Sequence, residues 1–170
     1  MLEAAAMVGE GVADTMTEDH KIAHECMANV KEDIKPLLDK HWAETEPNQD
    51  TIPLDPDWNE YALLDQMGIL RIFTARKDGA LIGYCVVMMS KSIHHKDHLF
   101  ASTDVIYVKP EFRKSTTGAE LIKFAEAHCK ENGASLMTLN MKVDFPFDGL
   151  MQRMGFNLLE RVYHKCFLGG

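Results

Sequence analysis

The sequence predicts an α/β (α+β) domain, a mixed sheet with helices on both faces, and three observations lead there. The β-branched and aromatic runs "ILRIFTAR" and "LIGYCVVMMS" are joined by Lys77-Asp78-Gly79, the signal of an antiparallel hairpin. From "DVIYV" the chain passes through a polar loop and an amphipathic helix to "ASLMTLNMKV", the crossover that parallel strands require. Two helical stretches precede these elements, so helices are available to both faces.

In chain order, residues 1–16 read as a flexible or partner-dependent leader and residues 17–170 as one domain. Thr15 or Thr17 offers an N-cap, and Ile22, Cys26, Val30, Ile34, Leu37, Leu38 and Trp42 then recur at helical spacing. Pro36 inside that pattern predicts a kink or two abutting helices. "ETEPNQDTIPLDPD" is a connector, and Asp57 caps a short helix that Gly68 stops. The hairpin follows, then the polar loop "SIHHKDH" and the strand "LFASTDVIYV". The next helix turns Leu121, Ile122, Phe124, Ala125 and Cys129 inward and ends at Asn132-Gly133. After "ASLMTLNMKV" come a short helix, "PFDGLMQRM", closed by Gly155, and a last strand or hairpin in "FNLLERVYHKCFL".

A chain of 170 residues with 46% hydrophobic and 26% charged residues can bury a core without staples. The four cysteines are scattered, with no C-x-x-C pair, and no apolar run approaches the length of a membrane helix. A reduced, soluble, cytoplasmic protein with no membrane partner is the expectation. The net charge of −8 argues against nucleic-acid backbones and permits a cationic partner, such as an amine or a basic peptide.

The loop Arg113-Lys114-Ser115-Thr116-Thr117-Gly118 lies between a strand end and a helix start, where N–H groups and the helix dipole favour an anion. Gly118 and Ala119 keep the approach open, three hydroxyls add donors, and Arg113 and Lys114 add charge. It is neither a G-x-x-x-x-G-K-S/T loop nor a G-x-G-x-x-G. A plain strand-to-helix connection with Ser115 or Thr116 as N-cap is the competing reading. Thr116 also raises the question of whether a β-branched residue suits the loop backbone.

The stretch Val108-Lys-Pro-Glu-Phe-Arg113-x-x-Thr116-x-Gly118-Ala119 resembles the acetyl-CoA-binding motif of the GNAT (GCN5-related N-acetyltransferase) superfamily. Thr116 stands where that motif has its first glycine. The likeness runs over about residues 17–168, and "PLDPDWNEYALLDQMGILRIFTARKDGALIGY" is also similar to GNAT-like proteins encoded by bacteriophages. It implies a mostly antiparallel sheet with one parallel, splayed strand pair, and acetyl-CoA as cosubstrate. It places the pantetheine arm on the main chain of Ile106 and Val108, flanking Tyr107, and the pyrophosphate on N–H groups of Lys114, Ser115, Thr116, Thr117, Gly118 and Ala119. The function it implies is N-acetylation of an amine on a small molecule or protein. The alternative is an inactive GNAT-fold assembly or inhibitory protein, such as a phage virion component.

Amine acetylation needs a base, and Asp104 among Val105, Ile106 and Val108 is the candidate; a solvated strand-end acid is the plainer reading. Met151 occupies the place where many family members have a tyrosine acid, leaving Tyr163 and Tyr107 as substitutes. His95 or His98 could line an acceptor pocket, whereas His94-His95-x-x-His98 lacks zinc-site spacing, so no metal is expected. His20 and His24 read as a solvated helix face. A homo-oligomer or a viral assembly partner stays open.

Overall fold

The structure, a computed structural model, describes residues 13–16 and 19–168. Among the described residues six strands form one sheet in chain order: β1 (Thr15–Met16), β2 (Lys21–His24), β3 (Leu70–Lys77), β4 (Ala80–Lys91), β5 (Leu99–Val108) and β6 (Ala134–Thr138). Every neighbouring pair is antiparallel except β5 and β6, which run parallel. The helices are α1 (Met27–Thr45), α2 (Trp58–Gln66), α3 (Thr117–Glu131) and α4 (Asp148–Arg153). The β3–β4 turn has φ of 49° at Asp78 and 80° at Gly79, the left-handed pair that a tight hairpin needs.

Alternation along the strands divides the core. Ile72, Tyr84, Val86 and Tyr107 face α1 and α2 and pack with Met27, Val30, Ile34 and Leu37. Phe73, Cys85, Val87 and Val108 face α3 and pack with Leu121, Phe124, Ala125 and Cys129. Each large side chain so buried contributes about 1.5–3 kcal/mol. The expected mixed sheet with helices on both faces is therefore present.

Four local expectations need correction. The first helix starts at Met27, not near Thr15, because Ile22 and Ala23 are buried in a strand paired with Ala75 and Thr74; Thr17 lies outside the described residues. That helix is capped from a distance, since the Met27 N–H donates to Asp65 Oδ2 of α2 at 2.7 Å. Of the two expectations at Pro36, only that of two abutting helices is overturned: the helix runs across it as one element, with Ile34 and Leu37 buried on either side. β6 stops at Thr138, and residues 156–168 form no strand. His20 and His24 are not a solvated face: His20 is buried, and the His24 ring packs on Phe73 and His128.

Candidate active site

The parallel pair comes apart where the chemistry was expected. β6 pairs with β5 only over Leu99–Ser102, and past that point Asn140 is tied to Thr103 of β5 through side chains in place of ladder bonds. Its N–H donates to Thr103 Oγ1 at 2.8 Å, and its Nδ2 donates to the buried Thr103 carbonyl at 2.9 Å. On the other side, Lys109 N–H donates to Ile82 O at 2.9 Å. Alternation from that bond points the main-chain groups of Tyr107 at β4 and those of Ile106 and Val108 at the open edge. Nothing in the sequence marked Asn140; a polar residue just beyond a strand gives no signal until its partner is known.

Asp104 sits at the divergence, on a bulge. Val86 pairs with Val105 and Val87 with Thr103, which leaves Asp104 as the extra residue. Its side chain keeps contact with solvent, and desolvation by the surrounding protein still lifts its pKa above the ordinary carboxylate range. Its charge reaches Tyr61 of α2 and Tyr84 of β4, which places it on the α1–α2 face. Tyr84 is 1% exposed, and burial pushes its hydroxyl pKa far up.

The loop after β5 makes a short 3-10 turn over Pro110–Phe112 before α3. Thr116 has φ −79° and ψ −8°, ordinary right-handed backbone, so its β-branch is unstrained. Ser115 Oγ donates to Phe112 O at 2.6 Å, lies 2.8 Å from Thr117 Oγ1 and accepts from Thr117 N–H. Two of the three loop hydroxyls thus serve the loop itself. The first backbone bond into α3 is Glu120 N–H to Thr116 O, which leaves the Gly118 and Ala119 N–H groups without partners inside the helix. Beside the loop lies a cleft of about 530 Å³, bordered by Ser115, Thr116, Thr117, Lys77, His20 and Phe112.

Arg113 is turned the other way. Its Nε donates to Val108 O at 2.8 Å, and its guanidinium grips Glu44 of α1 through bonds of 2.5 and 2.7 Å. That grip holds the Glu44 carboxyl below its usual pKa and raises Arg113. The guanidinium also lies 5.3 Å from the Tyr107 ring centroid. Arg113 therefore fastens the end of β5 to α1, while Lys114 stays exposed.

The remaining candidates are not gathered here. His95 packs on Phe100, four residues along β5 from Asp104, a separation of about 13 Å at strand rise. His98 Nδ1 lies 2.8 Å from Ser135 Oγ at the start of β6. Tyr163 is 86% exposed, with nothing around it to fix its hydroxyl. Met151 is buried on α4. Among the described residues, no group of three or more His, Cys, Asp or Glu side chains could hold a metal ion, and no helix is long and apolar enough to cross a membrane.

The sequence pattern of the acetyltransferase (GNAT) family matches residues 34–156, which include the parted strands and the loop. The chain belongs to the acetyltransferase (GNAT) family. Members of this family use acetyl-CoA, and this GNAT protein is an N-acetyltransferase at that level of description. It is 30% identical over 119 residues to a Bacillus subtilis (strain 168) protein assigned as a ribosomal protein bS18-alanine N-acetyltransferase, covering 68% of this chain and 72% of the relative. Its fold is also that of a ribosomal-protein-alanine N-acetyltransferase from Brucella melitensis biovar Abortus 2308. The TM-score there is 0.65 and the identity 20%, over 88% of this chain and 99% of the other. An aminoglycoside acetyltransferase from an uncultured soil metagenomic sample shares the fold at TM-score 0.68 and 13% identity, over 87% and 95% of the two chains.

Proposed function

We propose that this GNAT protein transfers an acetyl group from acetyl-CoA to a free amine, with the amino terminus of a protein as its first-choice acceptor and Asp104 as the proton acceptor. The observation that carries this reading is Asp104, bulged from β5 at the point where β5 and β6 part. The preference for a protein amine follows the 30% identical relative, whose name specifies a ribosomal-protein alanine.

The residues present fit acetyl-CoA. The gap exposes main-chain groups of Ile106 and Val108, and the Val108 carbonyl is already taken by Arg113, which leaves its N–H for a pantetheine amide. A Cβ built on Gly118 would meet only Val108 Cγ2, at 3.9 Å, so packing within the protein does not require a glycine there. Close approach of a pyrophosphate to the Gly118 and Ala119 N–H groups does give that glycine a reason. Lys77 at the cleft is paired with Asp19 at 3.0 Å, Lys114 is exposed on the loop, and Ser115 and Thr117 hold the loop in shape.

When bound, acetyl-CoA supplies a thioester carbonyl open to attack by an amine. Asp104 accepts the proton that the amine loses, and its raised pKa brings it nearer to the range useful for that transfer. With Met151 in the core and Tyr163 out in solvent, neither of those positions offers a fixed acid, and water protonates the departing sulfur. Most of the acceleration then comes from holding amine and thioester together.

Free-thiol release should be followed with the purified full chain, acetyl-CoA, peptides with free alanine amino termini and a panel of small amines. Steady release with a peptide, lost in Asp104→Asn, is expected. Acetyl-CoA binding with no thiol release on any acceptor would overturn the catalytic reading and leave a non-catalytic assembly role, including one in a virus particle.

A further inference from the structure

We propose that the C-terminal end of α1 is a bridge across the gap between β5 and β6, with Glu44 and Glu46 as positioning residues that hold the gap at the width acetyl-CoA needs. The inference rests on the reading that acetyl-CoA binds in this gap. Ladder bonds no longer join the strands there, since their pairing stops at Ser102 and Thr138. Glu44 fastens the β5 side through the Arg113 guanidinium, whose Nε is bonded in turn to Val108 O. Glu46 reaches the other side, where its Oε2 lies 3.8 Å from Nζ of Lys142, just beyond Asn140. One end of one helix thus holds a charged contact with each side of the gap.

That end is built to stay in place. Carbonyls in the last turn of a helix lack partners within it. Here the Trp42 carbonyl accepts from the Glu46 N–H at 3.0 Å, and Gln49 Nε2 donates to Trp42 O and Ala43 O at 3.2 and 2.9 Å. The Asn48 N–H donates to Glu46 Oε1 at 3.3 Å, which leaves Oε2 for Lys142. On the β5 side, Tyr107 packs against both His41 of α1 and Arg113, at 5.3 Å in each case. The charges of Arg113 and Lys142 both reach His41, so the two sides of the gap meet at this end of α1.

The two fastenings differ in kind. Glu44 takes Arg113 through two bonds, a geometry that fixes both partners. The Lys142 pair lies beyond hydrogen-bond distance, and the Lys142 side chain is 52% exposed. An exposed pair of that sort contributes little to folding. Its consequence is local: β5 is the fixed side of the gap, and the segment after β6 is the side that moves when the pair is released. The sign of the effect separates this role from plain electrostatics. If Glu44 and Glu46 were only negative charges near an anionic ligand, neutralising them would tighten acetyl-CoA binding, whereas loss of a bridge weakens it.

The test is calorimetric titration of acetyl-CoA into the full chain, with hydrogen exchange at residues 139–143 in the unliganded protein. Glu46→Gln should weaken binding by about two- to fivefold and quicken that exchange, with unchanged far-ultraviolet dichroism. Glu44→Gln should weaken binding by about tenfold or more. The charge exchange Glu46→Lys/Lys142→Glu should restore both affinity and slow exchange, which a change in overall stability would not do. Should Glu44→Gln fail to fold, the exposed Glu46–Lys142 pair still decides the matter. Unchanged or tighter binding in Glu46→Gln, or unchanged exchange at residues 139–143, would overturn the bridge while leaving the acetyl-CoA reading intact. Weakened binding that the charge exchange does not restore would place the effect outside the pair and overturn it too. A wild-type chain that binds no acetyl-CoA would overturn the acetyl-CoA reading and the bridge with it.

Discussion

Gly83 on β4 separates the demands of packing from those of ligand binding. A Cβ added there would lie 2.9 Å from Tyr107 O, 3.1 Å from Val108 Cγ2 and 3.3 Å from Leu121 Cδ1. The first neighbour is backbone in a paired strand and cannot swing aside, so Gly83→Ala must push β5 away from β4. Overpacking of this kind costs about 1–3 kcal/mol. For a domain of this size each kcal/mol lowers the melting point by about 2–4 °C, so a drop of about 2–12 °C is expected. The displaced residues border the gap, so acetyl-CoA binding should weaken too. Gly118→Ala is the control. Its Cβ meets one side-chain atom at an ordinary 3.9 Å, and alanine favours the helix, so stability should hold or rise by about 0.5–1 kcal/mol. Its acetyl-CoA affinity should nevertheless fall. Thermal unfolding followed by circular dichroism, with calorimetric titration of acetyl-CoA, reads both effects. Equal melting points for Gly83→Ala and wild type, or equal losses for the two variants, would refute the reasoning.

Asp104→Asn should lower turnover by about 10²-fold or more while acetyl-CoA affinity holds, and it should remove an acidic limb lying above the ordinary carboxylate range in the rate–pH profile. Asn140→Ala strips the buried Thr103 carbonyl of its donor, at a cost of about 1–3 kcal/mol. Hydrogen exchange should then quicken at residues 134–141. His128 is buried against Phe73 and against His24, whose ring centroid is 4.6 Å away; burial, with the nearby His24 and Arg71 charges, holds its pKa at about 4. A pKa below the unfolded value of about 6.5 means that the unfolded chain takes the proton first. Stability is therefore full above about pH 6.5 and is lost as pH falls toward 4, by about 3 kcal/mol. In His128→Phe, denaturant midpoints measured between pH 7 and pH 4 should fall less steeply than in wild type.

Local signals in the sequence carried most of the fold. The Asp57 cap shows in the structure as bonds to the Asn59 and Glu60 N–H groups, both at 3.0 Å, and Lys77-Asp78-Gly79 gave the hairpin. What failed depended on residues far apart in the chain. Ile22 fits a helical period, but pairing with Ala75, 53 residues away, makes it strand. The α1 cap comes from Asp65, 38 residues on, and no local rule could find it. Asp104 was visible as an acid among apolar neighbours, whereas its bulge arises only in register with β4. Arg113 looked like a phosphate ligand until Glu44, 69 residues earlier, claimed it. Thr116 raised a question of backbone strain that its φ of −79° answers.

A crystal structure of the full chain with acetyl-CoA tests the central claim most directly. The account predicts pantetheine amides bonded to the main chain of Ile106 and Val108, pyrophosphate on the Gly118 and Ala119 N–H groups, and the thioester within reach of Asp104. Acetyl-CoA bound away from the gap between β5 and β6, or a gap closed by continued pairing of those strands, would contradict it.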